Sequence, residues 1–425
     1  MLLIKLTQVD LDNIITQHRL YRESKPNGKR ALLVRYDLSG LVLCGCDLAY
    51  ADFSGSILYE ADLEFANLEF CVFFGCDLRK ANFRNASMKR ADLRGAALRG
   101  AIMSNADLTN ADLREGSFAI YDRAKGLTFP EENAAWMEGL GNVDLRGARM
   151  SAVKLSGAVA MNSNFEDADL TNAKAIRANL TGANLSGTNL SGADFTSCEL
   201  RDVNMRGANL VGALIDYSSL VNVDMTGALT DKPLGNSLDK LPMPLEQLMV
   251  LHTVWLDTLG AKGQRLDLGG YDMRGAISLN KVDLTMLLAD HSVWYAQDLS
   301  YMNMQASHFA YGDLRSCNFE SADLRGGNFT KAKLVGSKFR YARLEPLLLN
   351  DRRFLKTSFA GANLRYADFT GATLYDVDFT GADLSFADFT EAKIERGIFD
   401  KTVMDEAKID LKTAHKDFVI IKETD

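Results

Sequence analysis

The sequence predicts an all-β solenoid, and three observations predict it. A five-residue pattern, Ala-Asp/Asn-Leu/Phe-polar-Gly, recurs through most of the 425 residues. A large apolar residue stands at every fifth position, and a small residue usually stands two places before it. A period of five fits neither a helix, at 3.6 residues per turn, nor a flat strand, at 2.0. It fits a chain that turns a corner every five residues and sends one large and one small side chain inward on each side.

Clean stretches show the pattern best: Ala178-Asn179-Leu180-Thr181-Gly182 onward to Ala193-Asp194-Phe195, and Ala362-Asn363-Leu364 onward to Ala387-Asp388-Phe389. In the first block the centres run Leu33, Leu38, Leu43, Leu48, Phe53 and onward to Leu113 and Phe118. Ala51, Ala61, Ala66, Cys71, Cys76 and Ala81 fill the small positions. Four sides of five residues make a coil of about twenty, and coils stacked about 4.8 Å apart have the spacing of neighbouring strands. No single repeat buries its own face, so stability comes from stacking.

On these repeats the chain resembles the pentapeptide-repeat family, over roughly four fifths of its length. The resemblance implies a right-handed quadrilateral β-helix. It also implies a choice of biologies: quinolone-resistance proteins that bind DNA gyrase as DNA mimics, secreted effectors, and members with no assigned role. Membership predicts shape far better than activity.

Breaks in the repeat divide the chain. Centres up to Phe118, from Leu145 to Met225 and from Leu299 to Ile409 lie in three different phases. One break spans 119–142 and contains Pro130-Glu131-Glu132-Asn133-Ala134-Ala135-Trp136; another, 231–264, carries Pro233, Pro242 and Pro244. A third irregularity near 278–298, with His291, Trp294 and Tyr295, loses the five-residue step. The expected domains are 1–122, an N-terminal helix plus first β-helix block; 123–235, an inserted segment plus second block; and 236–425, an amphipathic helix plus third block and C-terminal cap.

Two helices are expected. Leu11, Ile14, Ile15, His18 and Tyr21 share one face, with Thr7 or Asp10 as the cap. Pro244 suits a first turn, and Leu245, Leu248, Met249, His252, Trp255, Leu256 and Leu259 form a stripe at helical spacing. Matching exits follow, Gly28-Lys29-Arg30 and Gly263-Gln264-Arg265, so a helix-then-β-helix module is repeated. Open solenoid ends expose unpaired backbone groups, and these helices are expected to cap them, with His18 and Tyr21 matched by His252 and Trp255.

With 47% hydrophobic residues and a net charge of -8, the composition is that of a folded chain rather than a disordered one. No apolar run approaches the roughly 18 residues a membrane span needs. The start, Met1-Leu2-Leu3-Ile4-Lys5-Leu6, lacks a signal-peptide pattern, and a cytoplasmic location is expected. Cys46, Cys71, Cys76, Cys198 and Cys317 all fall at the small inward position, as packing residues rather than ligands. Cys44-Gly45-Cys46 lacks metal spacing, the five histidines form no metal pattern, and there is no phosphate loop. The Asp before each centre recurs with the repeat, so Asp pairs carry no catalytic signal. No catalytic residue, cofactor or metal is expected, and the chain is read as no enzyme.

Surface charge offers the remaining clues. A girdle of Arg79, Lys80, Arg84, Lys89, Arg90, Arg94 and Arg99 spans one coil. A second basic group comprises Lys331, Lys333, Lys338, Arg340, Arg343, Arg352, Arg353 and Lys356, beside Glu345-Pro346-Leu347-Leu348-Leu349-Asn350-Asp351, where the coil is expected to loop out. By the resemblance, such a loop is a candidate partner site. After Ile409 the repeat gives way to a tail with the apolar run Phe418-Val419-Ile420-Ile421, read as a cap or a dimer contact. The expected function is a non-enzymatic bacterial scaffold, monomer or homodimer, that mediates protein–protein interaction without direct nucleic-acid contact. The alternative is a DNA mimic that binds a type II topoisomerase, DNA gyrase; the second alternative is an exported effector.

Overall fold

A computed structural model describes residues 3–114, 120–122, 126–128, 142–216, 220–276, 279, 282–350 and 353–409. Phe118, the Pro130–Trp136 stretch, Arg352 and the Phe418–Ile421 run lie outside the described residues. The chain divides into two compact units, Met1–Lys232 and Pro233–Asp425.

In the first unit parallel bridges join residues twenty apart, as in Asp52↔Val72↔Asp92↔Asp112 and Asp62↔Asn82↔Ile102. Four such columns form four walls, and the coil of twenty expected from the repeat is the coil observed. The ladder also steps across the first insertion: Ile102 bridges Asp144 and Asp107 bridges Arg149, 42 residues apart instead of 20. Within that insertion β3 (Ile120–Asp122) pairs antiparallel with β4 (Gly126–Thr128).

The pentad owes its composition to local geometry. Each centre donates its N–H to the coil above, as Phe53 does to Val72 O at 2.8 Å. At each corner the residue two before a centre closes a turn, as Ala51 N does to Leu48 O at 2.9 Å, with Tyr50 at φ 70°. A positive φ at the third turn residue is the type II signature, which is why glycine, then asparagine, favours the fifth pentad position. The Asp or Asn before the centre accepts the N–H two residues on, as Asp52 Oδ1 does from Ser54 N at 2.9 Å. At several positions where Ser, Thr or Cys replaces the small inward Ala, the side chain donates to a centre carbonyl 23 residues earlier: Ser337 to Leu314 O at 2.8 Å, Cys317 to Trp294 O at 3.0 Å. Cys71, Cys76, Cys198 and Cys317 are buried in this way, and burial pushes the Cys71 thiol up to about 12; Cys46 is only half-buried.

The second unit keeps the same coil, seen in His308↔Asn328 and Asn363↔Asp383. Its core contains two phenylalanine columns, Phe309-Phe329-Phe359-Phe379-Phe399 and Phe319-Phe339-Phe369-Phe389, face-stacked along each column and edge-on across. One expectation is corrected here. The stretch around 278–298 keeps the five-residue step through Leu288, Val293 and Asp298, with one extra residue in Asp267↔Leu288. Trp294 is a fully buried centre whose indole N–H donates to Ser292 Oγ at 2.6 Å. An indole is large enough to disguise a regular position as a break.

Helix α1 (Gln8–Arg22) covers the first coil of its unit. Thr7 caps it in a reciprocal capping box with Asp10. The short strand β1 (Ile4–Lys5) pairs with β2 (Tyr36–Asp37), and the Gln8 amide pairs with both backbone groups of Val42 at 2.9 Å. In the second unit α2 (Leu245–Asp257) buries Leu245, Leu248 and His252, with Pro244 as its N-cap. Leu259, expected in the stripe, lies past the helix end and is 96% exposed. Among the described residues no helix is long and apolar enough to cross a membrane.

Candidate interaction surfaces

The paired capping histidines occupy equivalent settings. His18 accepts from Ala31 N through Nδ1 at 3.0 Å, and its Nε2 lies 3.1 Å from Ala49 O. His252 Nδ1 accepts from Leu266 N at 3.1 Å; its Nε2 is turned toward the Thr285 backbone without completing a hydrogen bond. Each ring stacks on an aromatic one turn on, Tyr21 at 5.7 Å and Trp255 at 5.9 Å. Burial lowers both pKa values. Both rings are fully buried, with both nitrogens of His18 and Nδ1 of His252 spent on backbone.

The basic residues are dispersed rather than gathered. Arg79, Arg84 and Arg94 follow centres on three different walls, and Arg79 and Arg99, twenty apart, share one. Lys333, Lys338 and Arg343 likewise stand in three separate ladders. Much of their charge is answered locally. In the Asp-Leu-Arg variant of the pentad the arginine folds back on the aspartate two residues before, as Arg79 does on Asp77 at 2.6 Å and Arg94 on Asp92 at 2.7 Å. Arg114, Arg146, Arg274, Arg315 and Arg325 repeat this fork. Burial raises Asp323, but the hydrogen bonds and charge of Arg325 outweigh it and hold the carboxyl below its usual range. Arg343 meets Asp323 at 3.3 Å and Glu345 at 2.8 Å, Arg340 meets Asp368 at 3.6 Å, and Lys331 stands 5.5 Å over the Tyr311 ring.

The expected loop is a hairpin. Asn328 bridges Ser358 across 30 residues where the ladder step is 20, and β5 (Leu347–Asn350) and β6 (Arg353–Leu355) pair antiparallel inside the excess. Its inner residues, Leu347 and Leu355, rest on Gly326, where even an added Cβ would come within 3.1 Å of them. Its outer residues are apolar and open: Leu348 is 56%, Leu349 54% and Phe354 63% exposed, and Leu348 pairs with Phe354 across the strands. Arg353 is exposed on the same element, and Lys356 follows it, 3.8 Å from Asp376. Sequence reasoning locates this insertion by its broken register but weights its arginines over its leucines.

A second surface escapes the sequence reading. At the Tyr50 corner, where glycine is usual, Tyr50 and Phe70 stand twenty apart and stack at 4.8 Å, nearly parallel. Reading the sequence in steps of twenty rather than five exposes such pairs. Among the described residues no His, Cys, Asp and Glu group has the makings of a metal site.

A folded ladder of five-residue sides defines a pentapeptide-repeat solenoid. The signature described as Pentapeptide repeats matches in eight copies, over residues 37–75, 76–115, 140–174, 163–202, 176–212, 193–229, 303–345 and 357–396. These cover more than half of the chain, which belongs to this family. No curated protein matches it. Solved structures similar to it include a trypsin-treated form of QnrB1, a plasmid-mediated fluoroquinolone resistance protein, at 18% identity over 48% of this chain and 86% of that one, with a TM-score of 0.28. HetL, a pentapeptide repeat protein involved in heterocyst differentiation regulation from the cyanobacterium Nostoc sp. strain PCC 7120, matches at 18% identity over 91% and 94%, with a TM-score of 0.19. Rfr23 from the cyanobacterium Cyanothece 51142 matches at 18% identity over 52% and 96%, with a TM-score of 0.12.

Proposed function

We propose that this chain is a non-enzymatic scaffold of the bacterial cytoplasm that mediates protein–protein interaction, as monomer or homodimer, with the β5–β6 hairpin as its principal contact. The observation that carries this reading is the hairpin's two-sidedness. Leu347 and Leu355 anchor it to the wall while Leu348, Leu349 and Phe354 face outward, an arrangement that folding alone does not require. Three large apolar side chains on a wall-anchored hairpin, beside Arg353, match the apolar-plus-arginine composition of interface centres.

The wall chemistry gives less support to a DNA mimic. Duplex DNA presents unbroken negative charge along its axis. Here the columns interleave Asp with Asn, Lys and apolar residues, as in Val72-Asp92-Asp112-Lys154-Lys174-Asp194. The test is affinity capture of the tagged full chain from its native cytoplasm, set beside the double variant Leu348→Asp/Phe354→Asp. A stoichiometric protein partner that the variant loses supports the hairpin scaffold. Type II topoisomerase subunits retained by both forms would overturn it in favour of the mimic.

A further inference from the structure

We infer that one wall of the first unit, outside the hairpin, is a second docking surface, fitted to an extended protein segment that combines carboxylates with apolar side chains. The surface is built by a row that breaks the pentad rule. In the third coil, Phe70, Val72 and Phe74 all stand on the outer face of one wall, with Tyr50 directly beside Phe70 in the coil before. Phe74 is 51% and Tyr50 42% exposed.

Arginines rim this row. Arg22 stands 5.3 Å over Tyr50, Arg90 5.5 Å over Phe70 and Arg94 5.6 Å over Phe74. Arg22 and Arg94 are neutralised by Asp47 and Asp92. Arg30, Arg35 and Arg90 have no carboxylate partner among the described residues, while Asp52 is the remaining acid of the row and is bonded to Ser54. The local charge is therefore positive in a chain whose net charge is -8. Below the row the same wall opens into a hollow of about 420 Å³ lined by Arg90, Asp92, Arg94, Asn110, Asp112 and Lys154.

Ring geometry selects protein over nucleic acid. A nucleobase binds aromatic platforms by stacking on a free face. Here Arg22, Tyr50, Phe70 and Arg90 form one continuous column in which each ring lies between two neighbours. At Tyr50 and Phe70 only ring edges remain, and edges accept apolar side chains at van der Waals distance. Uncompensated guanidinium groups beside them accept carboxylates, in pairs of hydrogen bonds where geometry allows.

This inference rests on the scaffold reading but not on the hairpin. The test uses three probes on the full chain at physiological salt: a random copolymer of glutamate and tyrosine, polyglutamate, and oligothymidylate. The copolymer should bind more tightly than either, and Phe74→Glu/Arg90→Glu should weaken it about tenfold or more. Leu348→Asp/Phe354→Asp should leave copolymer binding unchanged. Equal binding of polyglutamate or oligothymidylate, loss of copolymer binding in the hairpin variant alone, or no copolymer binding would each overturn the inference. A chain that binds copolymer through this wall yet captures no partner keeps this inference and sinks only the hairpin.

Discussion

His18 and His252, in different units, are the same latch used twice. Each accepts the backbone N–H of a residue that enters its first coil, Ala31 or Leu266. The glycine and arginine after the helix recur with it: Gly28 and Gly263 press on helix backbone, and the Nε of Arg30 and Arg265 donates to Tyr50 O and Met286 O.

The latch predicts acid sensitivity. Nδ1 accepts a hydrogen bond only when that nitrogen is unprotonated, and burial holds both histidines below the ordinary value of 6.5. Asp47 opposes this lowering at His18 while Arg22 and Arg30 favour it; Asp283 and Arg265 play those parts at His252. The unfolded chain thus binds more protons, so the contribution is complete above 6.5 and is lost as pH falls from there through the folded pKa. Urea unfolding followed by circular dichroism should show stability flat above neutrality and declining below it. His18→Gln should flatten part of that decline, and His18→Ala should cost about 3 kcal/mol at neutral pH.

Much of this is legible in the sequence because five-residue spacing leaves little freedom: Leu33, Phe53 and their successors have to face inward, and the helices announce themselves through Thr7 and Pro244. Surfaces are less legible. Charge is visible in sequence, but whether Arg94 is available depends on its fold-back to Asp92, and the exposure of Leu348 depends on Leu347 taking the wall. Trp294 misleads because its size mimics irregularity.

The fork motif predicts unequal costs for equal deletions. Asp313 and Arg315 are both nearly buried, so Arg315→Ala strands a carboxylate and should cost about 3 kcal/mol. The Arg94 side chain is 44% exposed, and Arg94→Ala should cost under about 1 kcal/mol. Chemical unfolding of the two variants side by side checks the ranking, and equal losses would contradict it.

Excision of the hairpin should preserve the coil. Deleting residues 346–355 removes the ten-residue excess between Asn328 and Ser358 and brings Lys356 to the corner, a left-handed position that Lys80, Lys331 and Lys401 already adopt. The far-ultraviolet spectrum should be unchanged and the loss of stability about 1–2 kcal/mol, from the Leu347 and Leu355 contacts. Collapse of the second unit would show instead that the hairpin is structural.

Glycine substitutions separate strain from collision. Gly157 has φ 70° and nothing within 4 Å of an added Cβ, so Gly157→Ala meets only the left-handed penalty, about 1 kcal/mol, which Gly157→Asn should partly recover. Gly28 has the opposite problem: its φ is ordinary, but a Cβ would stand 2.3 Å from Tyr21 N in helix backbone that has no rotamer to yield. Gly263 combines both, with φ 76° and Leu251 O at 2.2 Å. Unfolding midpoints should therefore fall least for Gly157→Ala, further for Gly28→Ala and furthest for Gly263→Ala. Because Gly263 sits where the chain leaves α2, its variant should also loosen the Leu266–His252 bond, detectable as faster amide exchange at Leu266.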